Sequence, residues 1–90
     1  MAVKILLQLN DCWALGHDLL QWILMRSKNR RGQRDWQPVA FIASTKTVLR
    51  CCLREKGVEA TSEAEAALDA MPDTFKEWLR LRDRLQRRAA

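Results

Sequence analysis

Apolar positions along this chain follow two rhythms, first every second residue and later every third or fourth. Val3, Ile5, Leu7 and Leu9 alternate with Lys4, Leu6 and Gln8, the period of a half-buried strand. Asn10-Asp11 predicts a tight turn, Trp13 to Leu15 a short second strand, and Gly16-His17-Asp18 a further turn. A longer hairpin follows: a strand from Leu20 to Ser27, a basic tip from Lys28 to Arg34, and a strand from Asp35 to Ala43. Strand side chains alternate, so Trp22 and Leu24 share one face, with Ile23 and Met25 on the other. By the same rule Trp36, Ala40 and Ile42 share a face, and Val39 and Phe41 take the opposite one. Asn29 and Gly32 lie in the tip, where a reversal needs residues that tolerate unusual dihedrals. Pro38 lacks a ladder donor, so its strand is expected to be an edge or to be bulged there. The competing pattern is a helix over Cys12 to Arg26, since Trp13, Leu20, Ile23 and Leu24 also fit a helical face. Gly16 inside it and β-favouring residues at its end tell for strands.

After Ala43 the period becomes helical. Ser44 can cap a first turn, and Val48, Leu49, Cys52 and Leu53 form an apolar stripe opposite Lys46, Arg50 and Arg54. Gly57 sits where a left-handed residue ends a helix, with Val58 placed for the accompanying hydrophobic contact. Ser62 and Glu65 read as a capping box for a second helix, whose apolar face is Ala64, Ala67, Leu68 and Met71 and which ends at Pro72. Thr74 and Glu77 repeat the capping pattern before a last helix that buries Phe75, Trp78, Leu79 and Leu85. The expected fold is α+β: a small antiparallel β-meander with its hairpin at about 20–43, packed with two to three C-terminal helices at about 45–56, 63–71 and 74–88.

Ninety residues form one domain with one modest core. No apolar run approaches the roughly 20 residues of a spanning helix, and the start lacks the apolar length and cleavage site of a signal peptide. A cytoplasmic location with no membrane contact is therefore expected. Three cysteines, two of them adjacent, are not a disulfide framework. Cys52 reads as a small buried hydrophobe. With one histidine and no two-residue cysteine spacer, no metal or cofactor is expected.

The net charge of +5 is unevenly distributed. Arg26 to Arg34 carries five bases and no acid, Glu55 to Asp73 six acids against Lys56, and Lys76 to Arg88 six bases against Glu77 and Asp83. Arg26, Lys28, Arg30, Arg31, Arg34 and Trp36 on the hairpin, and Arg80, Arg84 and Arg87 on the last helix, are the candidate partner-binding residues. For each cation the plainer role is a solvated surface, and for each tryptophan a place in the core.

Several stretches together resemble small prophage accessory proteins: Asn10-Asp11-x-Trp13, Asp18-x-x-Gln21-Trp22-Ile23-Leu24, the basic tip, Trp36-Gln37-Pro38-Val39-Ala40-Phe41, and Leu49-x-x-Cys52-Leu53-Arg54-Glu55. The resemblance covers roughly Val3 to Val58 and not the tail from Glu59 onward. It implies a hairpin with a basic tip leading into a helix, a mobile-element origin and a bacterial host. It also implies a role in modulating host or phage machinery, a class that includes inhibitors of host defences such as CRISPR complexes. The family carries no assigned activity.

The sequence offers no nucleophile–base pair, phosphate-binding loop or paired acid, so a non-enzymatic protein is expected. The first reading is a module that docks on a host protein or nucleoprotein and blocks it sterically. The alternative is nucleic-acid binding, either by the basic ribbon in a major groove or by the last two helices as a helix-turn-helix. The oligomeric state is open, a homodimer among the options.

Overall fold

The computed structural model describes residues 4–89, the side chains of residues 29, 30, 34 and 85–89 excepted. Val3, and the side chains of Arg30, Arg34, Leu85, Arg87 and Arg88, thus lie outside the described residues. Four strands, β1 (Lys4–Gln8), β2 (Trp13–His17), β3 (Trp22–Arg30) and β4 (Gln33–Ile42), precede three helices, α1 (Lys46–Glu55), α2 (Ser62–Ala70) and α3 (Phe75–Ala89). The strands pair in chain order as one antiparallel sheet, β1-β2-β3-β4. The chain is therefore an α+β meander followed by three helices, and the competing Cys12 to Arg26 helix does not form.

The helices cover one face of that sheet. Leu15, Trp22, Leu24 and Ile42 of the strands join Leu49, Leu53, Ala64, Leu68, Phe75 and Trp78 in a single buried cluster. Trp22 is the centrepiece, fully buried, with Phe75 edge-on at 5.4 Å and Trp78 at 6.3 Å. Burying a large aromatic in this way contributes about 3–5 kcal/mol, judged by truncation to alanine. α3 starts beside the end of β4, where the Phe75 amide donates to the Ser44 carbonyl at 3.0 Å. It then passes Trp22 and His17.

Two bulges change the face assignments expected from strict alternation. In β1 the register steps from Ile5↔Gly16 to Leu7↔Leu15, so Ile5 and Leu7 point to opposite faces. Leu7 packs on the core and Ile5 is exposed. In β4 the register steps from Met25↔Pro38 to Leu24↔Ala40. Proline has no N–H for the ladder, and the extra residue beside it absorbs the mismatch. Trp36 and Pro38 therefore share a face with Phe41, not with Ala40 and Ile42 as alternation predicts. Both expectations for Pro38 hold, since β4 is an edge strand and is bulged at this residue.

Turn boundaries also move. β2 continues through Gly16 and His17, and the reversal falls on Asp18 to Gln21. Its cause is the Asp18 carboxylate, which accepts from the Leu20 amide at 2.7 Å and the Gln21 amide at 3.0 Å, an Asx-type turn. Leu20, expected to open the strand, is instead an exposed turn residue beside exposed Leu19. Each of the first two helix caps is one residue earlier or later than expected. Thr45 rather than Ser44 caps α1, accepting from Val48 N at 3.2 Å, and Thr61 rather than Ser62 caps α2, accepting from Ala64 N at 3.2 Å. The Thr74 hydroxyl accepts from Glu77 N at 3.1 Å, as the pattern predicts. In α1 the buried line runs through Leu49 and Leu53, which leaves Val48, about 100° away around the axis, half exposed.

The end of α1 is as expected. Gly57 has φ +69°, its amide donates to Arg54 O at 3.1 Å, and the Val58 amide donates to Leu53 O at 2.9 Å. These are the paired bonds of a Schellman motif.

Candidate functional site

β3 and β4 outlast the rest of the sheet. β2 pairs with β3 only as far as Trp13↔Arg26, whereas β3 and β4 continue through Ser27↔Trp36, Lys28↔Asp35, Asn29↔Arg34 and Arg30↔Gln33. Four residue pairs at about 3.3 Å each extend the ribbon roughly 13 Å past the third strand. The base of this arm is fixed by the Ser27 amide, which donates to Cys12 O at 2.8 Å. The molecule measures 41 × 28 × 23 Å, elongated for a chain of this length.

The seven-residue basic tip predicted from Lys28 to Arg34 is therefore not a loop. It is paired strand on both sides of a two-residue turn, Arg31-Gly32. Asn29, expected in the tip, is a strand residue opposite Arg34. The correction has a physical reason: both turn residues adopt positive φ, and a two-residue turn of that kind lets the ladder run to its very end.

Arg26, Lys28 and Arg31 are exposed. The Arg26 guanidinium stands 5.7 Å over the ring of Trp13, its cross-strand partner, a cation–π arrangement that holds the charge without neutralising it. Lys28 is directly opposite Asp35, the one acid of the arm. Trp36 is half-buried on the face that leads past Pro38 to Phe41. Trp22, by contrast, is fully buried in the core.

Arg80 and Arg84 are exposed on α3 and line a shallow cavity with Pro72, Glu77 and Leu81. They are not brought near the arm. α3 packs over Trp22, which lies eight residues, or about 26 Å, along β3 from Arg30. The two groups of cations are separate surfaces.

Two clusters away from the arm are structural. Arg50 of α1 donates to Glu65 of α2 at 3.0 Å and also pairs with Asp69. Its hydrogen bond with Glu65, chiefly, raises the guanidinium's pKa. The Lys46 ammonium donates to the carbonyls of Asp69 and Met71 at 3.1 and 2.9 Å, satisfying acceptors at the C-terminal end of α2. His17, expected in a turn, is buried in β2 with its ring 4.8 Å from that of Trp78. Sequence reasoning missed this contact because the pairing of residues 17 and 78 is purely tertiary.

Among the described residues no group of histidine, cysteine, aspartate or glutamate could hold a metal ion, and no helix is long and apolar enough to cross a membrane. No family model, curated protein or solved structure matches the chain.

Proposed function

We propose that the chain is a non-enzymatic binding module that lays its β3–β4 arm against an acidic surface of a host protein or nucleoprotein and blocks that surface sterically. The observation that carries this reading is the arm itself, a paired ribbon clear of the sheet with Lys28 and Arg31 exposed and one acid, Asp35. A paired hairpin anchored in a sheet at its base loses less conformational freedom on docking than a free loop of that length, which favours affinity. One face of the ribbon leads from Trp36 through Pro38 to Phe41, and Val39 and Phe41 are exposed. An apolar strip beside arginine and tryptophan is the composition of a protein interface centre, and a phosphate backbone has no use for it. The resemblance to prophage accessory proteins supports a host target and an inhibitory role of the anti-CRISPR kind, in the cytoplasm of a bacterium.

The second reading is nucleic-acid binding by the same arm. It is favoured by width, since two strands about 4.8 Å apart with their side chains fit a major groove about 12 Å wide.

A tagged pull-down from bacterial lysate, with and without nuclease, separates the two. Under the docking reading a protein partner is retained in stoichiometric amount after nuclease, and one or two arm residues, Trp36 among them, account for most of the loss on alanine substitution. A catch that disappears with nuclease, and that weakens steeply with salt, overturns it in favour of nucleic acid.

A further inference from the structure

The turn at the end of the arm carries a cost. Arg31 and Gly32 have φ of +51° and +79°, two successive positive values that mark a type I′ turn. Glycine accepts such a conformation freely. Arginine does not, because its Cβ crowds the backbone in the left-handed region. Asparagine, aspartate or glycine is the residue type this position favours. Arg31 is also the one non-glycine with positive φ among the described residues.

The ladder closing at Arg30↔Gln33 holds the turn, but no partner among the described residues calls for an arginine in it. Arg31 is exposed, and it forms none of the ion pairs found among the described residues. Strain kept at an exposed apex points to a role outside the fold. We infer that Arg31 is the leading contact of the arm, entering an acidic recess of the partner protein so that its guanidinium grips a carboxylate through two parallel hydrogen bonds. This rests on the docking reading and sharpens it. The turn places the arginine at the apex, and the ribbon behind it supplies reach. The planar fork suits a carboxylate in a way an ammonium does not. A carboxylate is favoured over a phosphate by the apolar strip of Trp36, Pro38 and Phe41 on the same ribbon, which needs a protein surface to cover it.

The test compares the full-length protein with Arg31→Asn and Arg31→Lys by thermal melting and by binding to two labelled probes, polyglutamate and a short duplex DNA. Arg31→Asn is expected to melt a few degrees higher, because asparagine suits the turn. It is also expected to bind polyglutamate about tenfold more weakly. Arg31→Lys keeps the charge and should restore only part of that loss. An Asn variant that melts no higher than wild type, or that binds polyglutamate equally well, overturns the inference while leaving the docking reading standing. Wild-type protein that binds neither probe overturns both. Binding to duplex DNA alone, lost in Arg31→Asn, makes the apex a phosphate contact and overturns the carboxylate assignment.

Discussion

At the scale of single residues, His17 shows how burial converts a polar side chain into a pH-dependent term. Desolvation is the main cause that lowers its pKa from the ordinary 6.5. The cations Arg82 and Lys4 add to the effect, and the contact with the Asp18 carbonyl opposes it. The folded ring is thus kept neutral where the unfolded one would take up a proton. Folding stability should be flat above about pH 7 and fall as the pH drops through 6.5 and below. Urea unfolding at pH 7.5 and at pH 5.5 is expected to show a lower midpoint at the acid value. His17→Phe, which keeps a ring against Trp78 but cannot titrate, should lose most of that difference. Asp18 acts with the same sign in a lower pH window. Hydrogen bonds, the Leu20 amide first, hold its carboxyl below the usual range, so its contribution is present at neutral pH and disappears only in stronger acid. Gly57 is a purely backbone case. A Cβ built there meets nothing within 4 Å, so Gly57→Ala should cost about 1–2 kcal/mol from its left-handed φ alone. Thermal melting should record a drop of several degrees without loss of helix at 25 °C.

Elements behave here according to what lies on their second side. β2 and β3 have neighbours on both edges and residues such as Leu15 and Leu24 in the core. The outer part of β3–β4 has only itself. An isolated two-stranded ribbon is marginally stable in water, so the arm should be the least protected part of the sheet. Amide hydrogen exchange is expected to be slowest at Leu15, Ile23 and Leu24 and orders of magnitude faster from Lys28 to Asp35. Equal protection across the hairpin would show that the arm is braced by something beyond its own ladder. Pro38 and its bulge matter at this scale too. They interrupt the open edge of β4, a common defence against edge-to-edge pairing, and they set Trp36 and Phe41 on one face. The helices are tied to one another by backbone at their starts. Thr45 and Thr74 form an isolated antiparallel bridge, and the Lys46 amide donates to Asp73 O at 2.7 Å. α1 and α3 therefore enter the helical layer from a common point.

For the whole molecule the arrangement is polar in shape: a helix-covered core at one end and a basic ribbon at the other, with an acidic α2 between the basic segments in sequence. Much of this was legible in the chain. The period of two before Ala43 and the period of three to four after it determine a strand half and a helix half. Gly57, Pro72 and the cap candidates Ser44, Ser62 and Thr74 delimit those helices to within a residue or two. The basic stretch from Arg26 to Arg34 is likewise a property of sequence alone, because charge does not depend on how the chain folds. What sequence could not decide was anything set by register. A bulge at Leu6 and another at Pro38–Val39 reverse which side chains share a face, and strict alternation cannot foresee where the extra residue goes. The same limit hides the arm: Lys28 to Arg34, six basic or polar residues and Gly32, have the composition of a loop, whereas the pairing of Arg30 with Gln33 reduces the turn to Arg31-Gly32. Contacts such as His17 with Trp78, sixty-one positions away, exist only once α3 lies across the sheet. Local chemistry determined the elements and their ends, since caps, turns and periods are short-range. The tertiary structure alone decided which faces meet and which arginine stands at the apex, because those depend on distant strands and helices settling into one packing.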